Sequence, residues 1–231
     1  MDHTKIKFYA VSIKWTEGGV MGFNIKASAG SIISISWGNG HIITYSFCSE
    51  SERDFINDYS PGKIIPQYDG VKFLVEISCD NPDSRIIGFR VSSAGEMDAI
   101  DLDVTNCPEL EELTYHGYLC TSPSRPLDLS HNTALKDLDC QMNSFTSLNL
   151  SHNTELENLN CRCNRLFHLC LTSNFALQIL NCEYNKIEKL FIPSYALQLI
   201  EAKIEEGNQI DEATIMHIQE LVEENINRME C

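Results

Sequence analysis

The sequence predicts an α+β chain: an antiparallel β domain over residues 1–95, a short solenoid of parallel strands over 96–210, and a capping helix over 211–231. Three observations predict this order. Strand-like segments divided by Gly, Ser, Asp and Pro turns fill residues 5–91. A 21-residue period follows, and an amphipathic helical pattern closes the chain.

In the first region the strand segments are KIKFYAVSIKW, GGVMGFNIKAS, SIISISWGNG, HIITYSF, KFLVEIS and RIIGFRV. Their spacing suits a β-sandwich or another two-sheet domain. Gly38-Asn39-Gly40 carries the Asn-Gly signal of a tight hairpin turn, and Trp37 before it is placed to anchor the core. Ser49–Pro66, polar and acidic at its start, reads as the longest loop.

The repeat is explicit in LDLSHNTALKDLDCQMNSFTS (127–147), LNLSHNTELENLNCRCNRLFH (148–168) and LCLTSNFALQILNCEYNKIEK (169–189). Leu135, Leu156 and Leu177 share one position, as do Leu138, Leu159 and Leu180; Cys140, Cys161 and Cys182; and Asn143, Asn164 and Asn185. Degenerate units flank the three. Residues 102–126 have Tyr115 and Tyr118 where Cys and Asn are expected; 190–202 reads as one residue short, with Ala202 at the Cys position. Atypical terminal units are usual where repeats stack.

Within each unit the alternation at Leu138 and Cys140 is strand-like, so both point inward while Asp137, Asp139 and Gln141 point to an open face. Stacked coils then form a cysteine ladder at the ~4.8 Å strand spacing, with cysteine acting as a small hydrophobe. The Asn143, Asn164 and Asn185 amides are suited to bonding backbone groups left unpaired where the chain leaves the strand. The SHNT turns at 130–133 and 151–154 form the opposite corner, and the Leu-x-Leu pairs before them a second inward wall. After Gly207-Asn208-Gln209, Asp211 is placed as the N-cap of a helix burying Ile215, Ile218, Leu221, Val222 and Ile226.

The LxxLxCxxNxL unit resembles the leucine-rich repeat family, in the 21-residue, cysteine-bearing variety of bacterial internalin-like and Bacteroidetes surface proteins. SISWGNGHIITY resembles the WGDG turn of polycystic-kidney-disease-type (PKD) immunoglobulin-like domains, with Asn39 in place of Asp. These resemblances imply a non-catalytic interaction module that binds a protein or glycan, usually exported or surface-attached. The sequence begins MDHTKIKFYAVS, which shows no export signal as written, and ten cysteines suit a reducing compartment, so location is left open.

Charge and motifs bound the alternatives. Residues 1–101 hold 9 Lys+Arg against 13 Asp+Glu, leaving 8 against 20, net −12, for residues 102–231. Such acidity repels phosphate backbones, so nucleic acid is excluded, and no apolar run approaches the ~20 residues of a membrane helix. A nucleophile elbow, phosphate loop, HExxH motif and dinucleotide turn are all missing from the sequence, and no enzyme or cofactor is expected. Cys161, Cys163, His168 and Cys170 are metal-ligand types, but the repeat frame sends them to different walls, and no metal is expected. Cys107 with Cys120 is the one disulfide pairing left open.

Specificity is therefore expected on the open face. Its columns are Glu112, Asp137, Asn158, Ile179 and Leu199; Thr114, Asp139, Asn160, Asn181 and Glu201; and His116, Gln141, Arg162, Glu183 and Lys203. Tyr115, Tyr118 and Tyr184 are candidate aromatic anchors, though Tyr115 reads first as a filler of the vacant ladder position. A monomer is favoured. Alternatives are a carbohydrate-binding accessory protein using Phe8, Tyr9, Trp15, Trp37 or Tyr45, a metal-dependent or hydrolytic enzyme, and an oligomer packed through an uncapped end.

Overall fold

A computed structural model describes residues 5–12, 22–36, 42–56, 72–80, 83–92, 97–117, 126–193 and 196–229. Strands β1 (Lys5–Ser12), β2 (Gly22–Ala27), β3 (Ile32–Ser36), β4 (Ile42–Ser46), β5 (Ser51–Ile56), β6 (Lys72–Cys79), β7 (Ile86–Ser92) and β8 (Met97–Asp103) precede the repeats. One antiparallel sheet has the order β4-β3-β6-β1-β8, and β2, β5 and β7 belong to a second. Ile6, Ile33, Ile35, Val75 and Ile77 from the first sheet are buried, as are Phe23, Ile25, Phe89 and Val91 from the second. The expected loop at 49–66 is in part a strand, because β5 pairs along β2 from Gly22↔Ile56 to Ala27↔Ser51. The pairing recruits even the charged Glu52-Arg53-Asp54 run, which local propensity disfavours. The β3–β4 hairpin forms as read, with Ser36 opposite Ile42; Trp37 and Gly38-Asn39-Gly40 lie outside the described residues.

The repeats coil as predicted. Parallel strands β9 (Glu112–His116), β10 (Asp137–Asp139) and β11 (Asn158–Asn160) are followed by β12 (His168–Cys170) on the far wall and β13 (Ile179–Asn181) back on the open side. β14 (Lys189–Phe191) joins β12, β15 (Glu201–Lys203) joins β13, and helix α1 (Glu212–Met229) follows. Five open-side strands delimit about four full turns. The repeat sheet does not start at β9. β7 pairs with it in parallel, Gly88↔Glu112 through Ser92↔His116, so one eight-stranded sheet runs β15-β13-β11-β10-β9-β7-β2-β5. One hydrophobic core correspondingly extends from Ile6 to Ile218.

Three columns hold the coils in register. Cys140, Cys161 and Cys182 are fully buried, and burial raises their thiol pKa values, that of Cys182 to about 12. Tyr115 occupies the same column below them, buried, its ring 6.1 Å from that of Phe145. Beside the cysteines, the Asn164 amide donates to the Cys140 and Cys161 carbonyls at 2.9 and 3.0 Å and accepts from the Phe145 N–H at 3.1 Å. Asn185 repeats this pattern one rung on, and Asn208 again beyond it. The turn before these amides requires a left-handed residue, adopted by Met142, Cys163 and Tyr184 (φ 58°, 55° and 54°) and by Gly207 in the last coil.

A second asparagine column sits at the SHNT corner. Asn132, Asn153 and Asn174 are buried, and each donates to two carbonyls of the coil below, as Asn153 does to Leu129 and Asn132. The fourth coil has Ala196 at this corner. Asn225, reaching in from α1, donates to the Ala196 and Leu199 carbonyls at 2.7 and 2.8 Å and ends the column.

Two expectations for the last coil are corrected. It is one residue longer than the period, not shorter: Ala202 faces Leu180, and Ile204 continues the cysteine column. Leu199 is consequently buried and off the open face. In α1, Asp211 caps the first turn by accepting from the Thr214 N–H at 2.9 Å, and Ile218 is buried as expected. Ile226 is instead 40% exposed, because Asn225 takes the inward position to meet the turn carbonyls.

Replacing Asn164 by Ala strands the Phe145 N–H and removes one of two donors from the Cys140 and Cys161 carbonyls, whereas replacing Asn153 removes one of two donors from the Leu129 and Asn132 carbonyls and strands no N–H. Asn164→Ala is expected to cost about 3 kcal/mol and Asn153→Ala about 2 kcal/mol in urea unfolding. A reversed order would contradict this account of the two columns. In thiol titration of the native protein, the exposed Cys48 and Cys170 should react first. The buried Cys79, Cys107, Cys140, Cys161 and Cys182 should react only after denaturation.

Candidate functional site

The outward residues of the eight-stranded sheet form one polar face. Its registers are Glu112, Asp137, Asn158, Ile179 and Glu201 in one row and Thr114, Asp139, Asn160, Asn181 and Lys203 in the next. Four strands agree with the expected columns. In the fifth, Glu201 and Lys203 each shift by one column because of the longer coil. Beyond β9 the rows continue onto the β domain, with Glu112 beside Gly88 and Lys26, and Thr114 beside Arg90 and Asn24. The face is thus about 34 Å across rather than the ~20 Å of five strands.

Many of these side chains are committed to one another. Glu112 receives Lys26 Nζ at 2.8 Å and Arg90 Nη2 at 2.8 Å, joining β9, β2 and β7 through one carboxylate. Those hydrogen bonds, Lys26 first, hold its carboxyl below the usual range despite partial burial. His116 Nε2 lies 3.0 Å from Asp139 Oδ1, with the Gln141 amide 3.2 Å from the other carboxylate oxygen. Burial opposes ionisation of Asp139, yet the His116 contact brings its net pKa down. Asp139, Asn160 and Asn181 each accept from the backbone N–H two residues on, so this column shapes the strand exit as well as lining the face. Asn158 donates to Asp137 at 2.5 Å.

At the far end the face turns apolar. Ile179 is 37% and Tyr184 43% exposed. The Arg162 guanidinium stands 4.5 Å above the Tyr184 ring, Glu183 lies 3.9 Å from Arg162, and the Tyr184 hydroxyl donates to Glu206. Lys203 pairs with Glu201 at 2.9 Å. The sequence does not reveal that Tyr184 sits at a left-handed turn; the equivalence with Gly207 just before Asn208 is the one signal of it. Of the other aromatic candidates, Tyr115 is core, Tyr45 is half-buried, and Tyr118 and the side chains of Phe8, Tyr9, Trp15 and Trp37 lie outside the described residues.

The remaining chemistry-bearing residues stay dispersed. Among the described residues no three His, Cys, Asp or Glu side chains gather as metal ligands. Cys163 is half-buried at its turn, and Cys170 is exposed on the far wall, where the Thr172 hydroxyl and N–H hold its thiol below the usual range. Cys107 is a free thiol pointing to the Lys5 carbonyl at 3.7 Å, and Cys120 lies outside the described residues. No described helix is long and apolar enough to cross a membrane.

No protein-family model and no curated protein matches the sequence. Among solved structures, the chain is similar to the functional domain of InlJ from Listeria monocytogenes, which includes a cysteine ladder. The match has a TM-score of 0.41 and 22% identity over 55% of this chain, and it spans 31% of that one.

Because Glu112 has a lowered carboxyl pKa in the folded state, its stabilising effect is full above the unfolded value near 4.5 and fades as pH falls through the folded value. Wild type should therefore exceed Glu112→Gln in stability at pH 7, with the gap closing at pH 3 in denaturant titrations.

Proposed function

We propose that the chain is a non-catalytic interaction module that binds a protein partner across the concave strand face of a leucine-rich repeat solenoid, with the N-terminal region a PKD-like immunoglobulin domain. The carrying observation is the division of labour on the sheet. The inward columns repeat Leu, Cys and Asn, while the outward rows Glu112, Asp137, Asn158, Ile179, Glu201 and His116, Gln141, Arg162, Glu183 change at every rung and fit no single chemistry. A frame of constant core and variable face is what recognition requires, because side chains on the face can differ without loss of the fold. Breadth supports the same reading. Five strands offer roughly half of the ~800 Å² that one side of a standard interface needs, and the three strands of the β domain make up most of the difference.

Ile179 and Tyr184, two exposed apolar groups at the far end of this face, are the anchors of the proposed interface, with Arg162 held against Tyr184. The test is affinity capture with the immobilised chain, followed by measured affinity for the captured protein. Ile179→Arg and Tyr184→Ala should each weaken binding about tenfold or more. His152→Arg, on the outer corner, should leave it unchanged. Equal losses from all three, or retained binding by both face variants, would reject the reading.

A further inference from the structure

At the SHNT corner the residue just before each buried asparagine points away from the core. Over four coils that column reads Asn106, His131, His152 and Ser173, so two imidazoles stand on neighbouring coils between positions without one. The Asn153 amide donates to the Leu129 and Asn132 carbonyls at 3.1 and 2.8 Å, which stacks the two histidine-bearing turns in register. Their backbones are thus spaced like neighbouring strands, about 4.8 Å apart. Both histidines are exposed.

The neighbouring side chains prepare these rings to coordinate. The Ser130 hydroxyl donates its one proton to Asp128 at 2.7 Å, so toward His131 Nδ1, 3.4 Å away, it can only accept. In the neutral ring Nδ1 therefore carries the proton and Nε2 keeps its lone pair, the form in which imidazole binds metal. The Ser151 hydroxyl likewise lies 3.2 Å from His152 Nδ1, leaving Nε2 as the unengaged nitrogen of that ring among the described residues. Asp128 adds negative charge within reach of both rings. The Ser130 hydroxyl and N–H hold its carboxyl below the usual range, and His131 and His152 lower it further.

We propose that His131 and His152 form a two-imidazole site for a divalent transition-metal ion of the Ni2+, Cu2+ and Zn2+ class, bound through Nε2 of each ring and completed by water. Metal–nitrogen bonds of ~2.0–2.1 Å place two adjacent ligand nitrogens about 3 Å apart. That is closer than the spacing of the coils, and rotation about the side-chain bonds of two exposed histidines covers the difference. Imidazole selects this class of ion over Mg2+ and Ca2+, which prefer oxygen. Asp128 contributes charge and no ligand atom, since no three His, Cys, Asp or Glu side chains gather as metal ligands among the described residues.

The test is Ni2+ titration of the full chain, without an affinity tag, followed by equilibrium dialysis and by the histidine ring signals in NMR. One ion per chain should bind, and paramagnetic Ni2+ should broaden His131 and His152 while His116 on the concave face and His217 on α1 stay sharp. His131→Ala and His152→Ala should each weaken binding about tenfold or more, and the double variant should bind little worse than either, because a chelate is lost with its first ligand. Bound Ni2+ should raise the unfolding midpoint of the wild type and of neither variant. Equal midpoints without metal establish that the variants are folded. Ni2+ uptake unaltered by either substitution, as at the exposed thiols Cys48 and Cys170, overturns the proposal. Two independent sites, each removed by its own substitution, overturn it equally, as does no uptake of Ni2+.

Discussion

Each turn of the solenoid leaves the strand sheet by a bend whose carbonyls point along the stack rather than into a ladder. Unpaired and buried, each would cost about 1–3 kcal/mol. Asparagine resolves this at every rung, because one amide donates both protons to two carbonyls while its oxygen can accept an N–H. Asn143, Asn164, Asn185 and Asn208 supply one such column. Asn132, Asn153 and Asn174 supply the other. The remaining features of the solenoid depend on these columns: they fix the rise between coils, so that cysteine is large enough to fill the space between leucine rungs and strands three residues long suffice for a sheet.

The same requirement explains both ends. At the C-terminal end the last coil has Ala196 at the asparagine position, and Asn225 of α1 reaches down onto the Ala196 and Leu199 carbonyls as the amide of a further coil would, its oxygen taken by Arg228 at 3.1 Å. The helix therefore closes the stack through polar as well as apolar contacts, which is why an isoleucine next to Asn225 is left facing solvent. At the N-terminal end no comparable cap is needed. β7 supplies a parallel neighbour for β9, and Phe89 and Val91 continue the inward rows of Leu113 and Tyr115. A β domain joined this way caps the solenoid and widens its open face at once.

That continuity alters the meaning of the polar face. Glu112 would be a free acidic side chain on an isolated solenoid, but next to β7 and β2 it becomes the centre of an ion-pair cluster with Lys26 and Arg90. Asp139 and His116 similarly restrain each other. In the interface proposed above, recognition is left to fewer groups than the columns suggest, those near Ile179, Arg162 and Tyr184 at the end away from the β domain.

Period, inward columns, the parallel strands, the far wall and the capping helix were all legible in the sequence, because a 21-residue repeat states the same local physics three times and alternation alone assigns each side chain to a face. The last coil misled the reading because its inserted residue lies outside the strict repeats, and Leu199, Ala202 and Ile204 are all apolar enough to fit either register. Asn225 was hidden because a single asparagine on a helix has no periodicity to mark it, and β5 because charged residues conceal a strand whose pairing is long-range. Sequence by itself determined which residues recur and therefore which face each occupies. Tertiary structure decided how the β domain and the solenoid share a sheet and which polar groups bond to one another, since these depend on contacts between residues far apart in the chain.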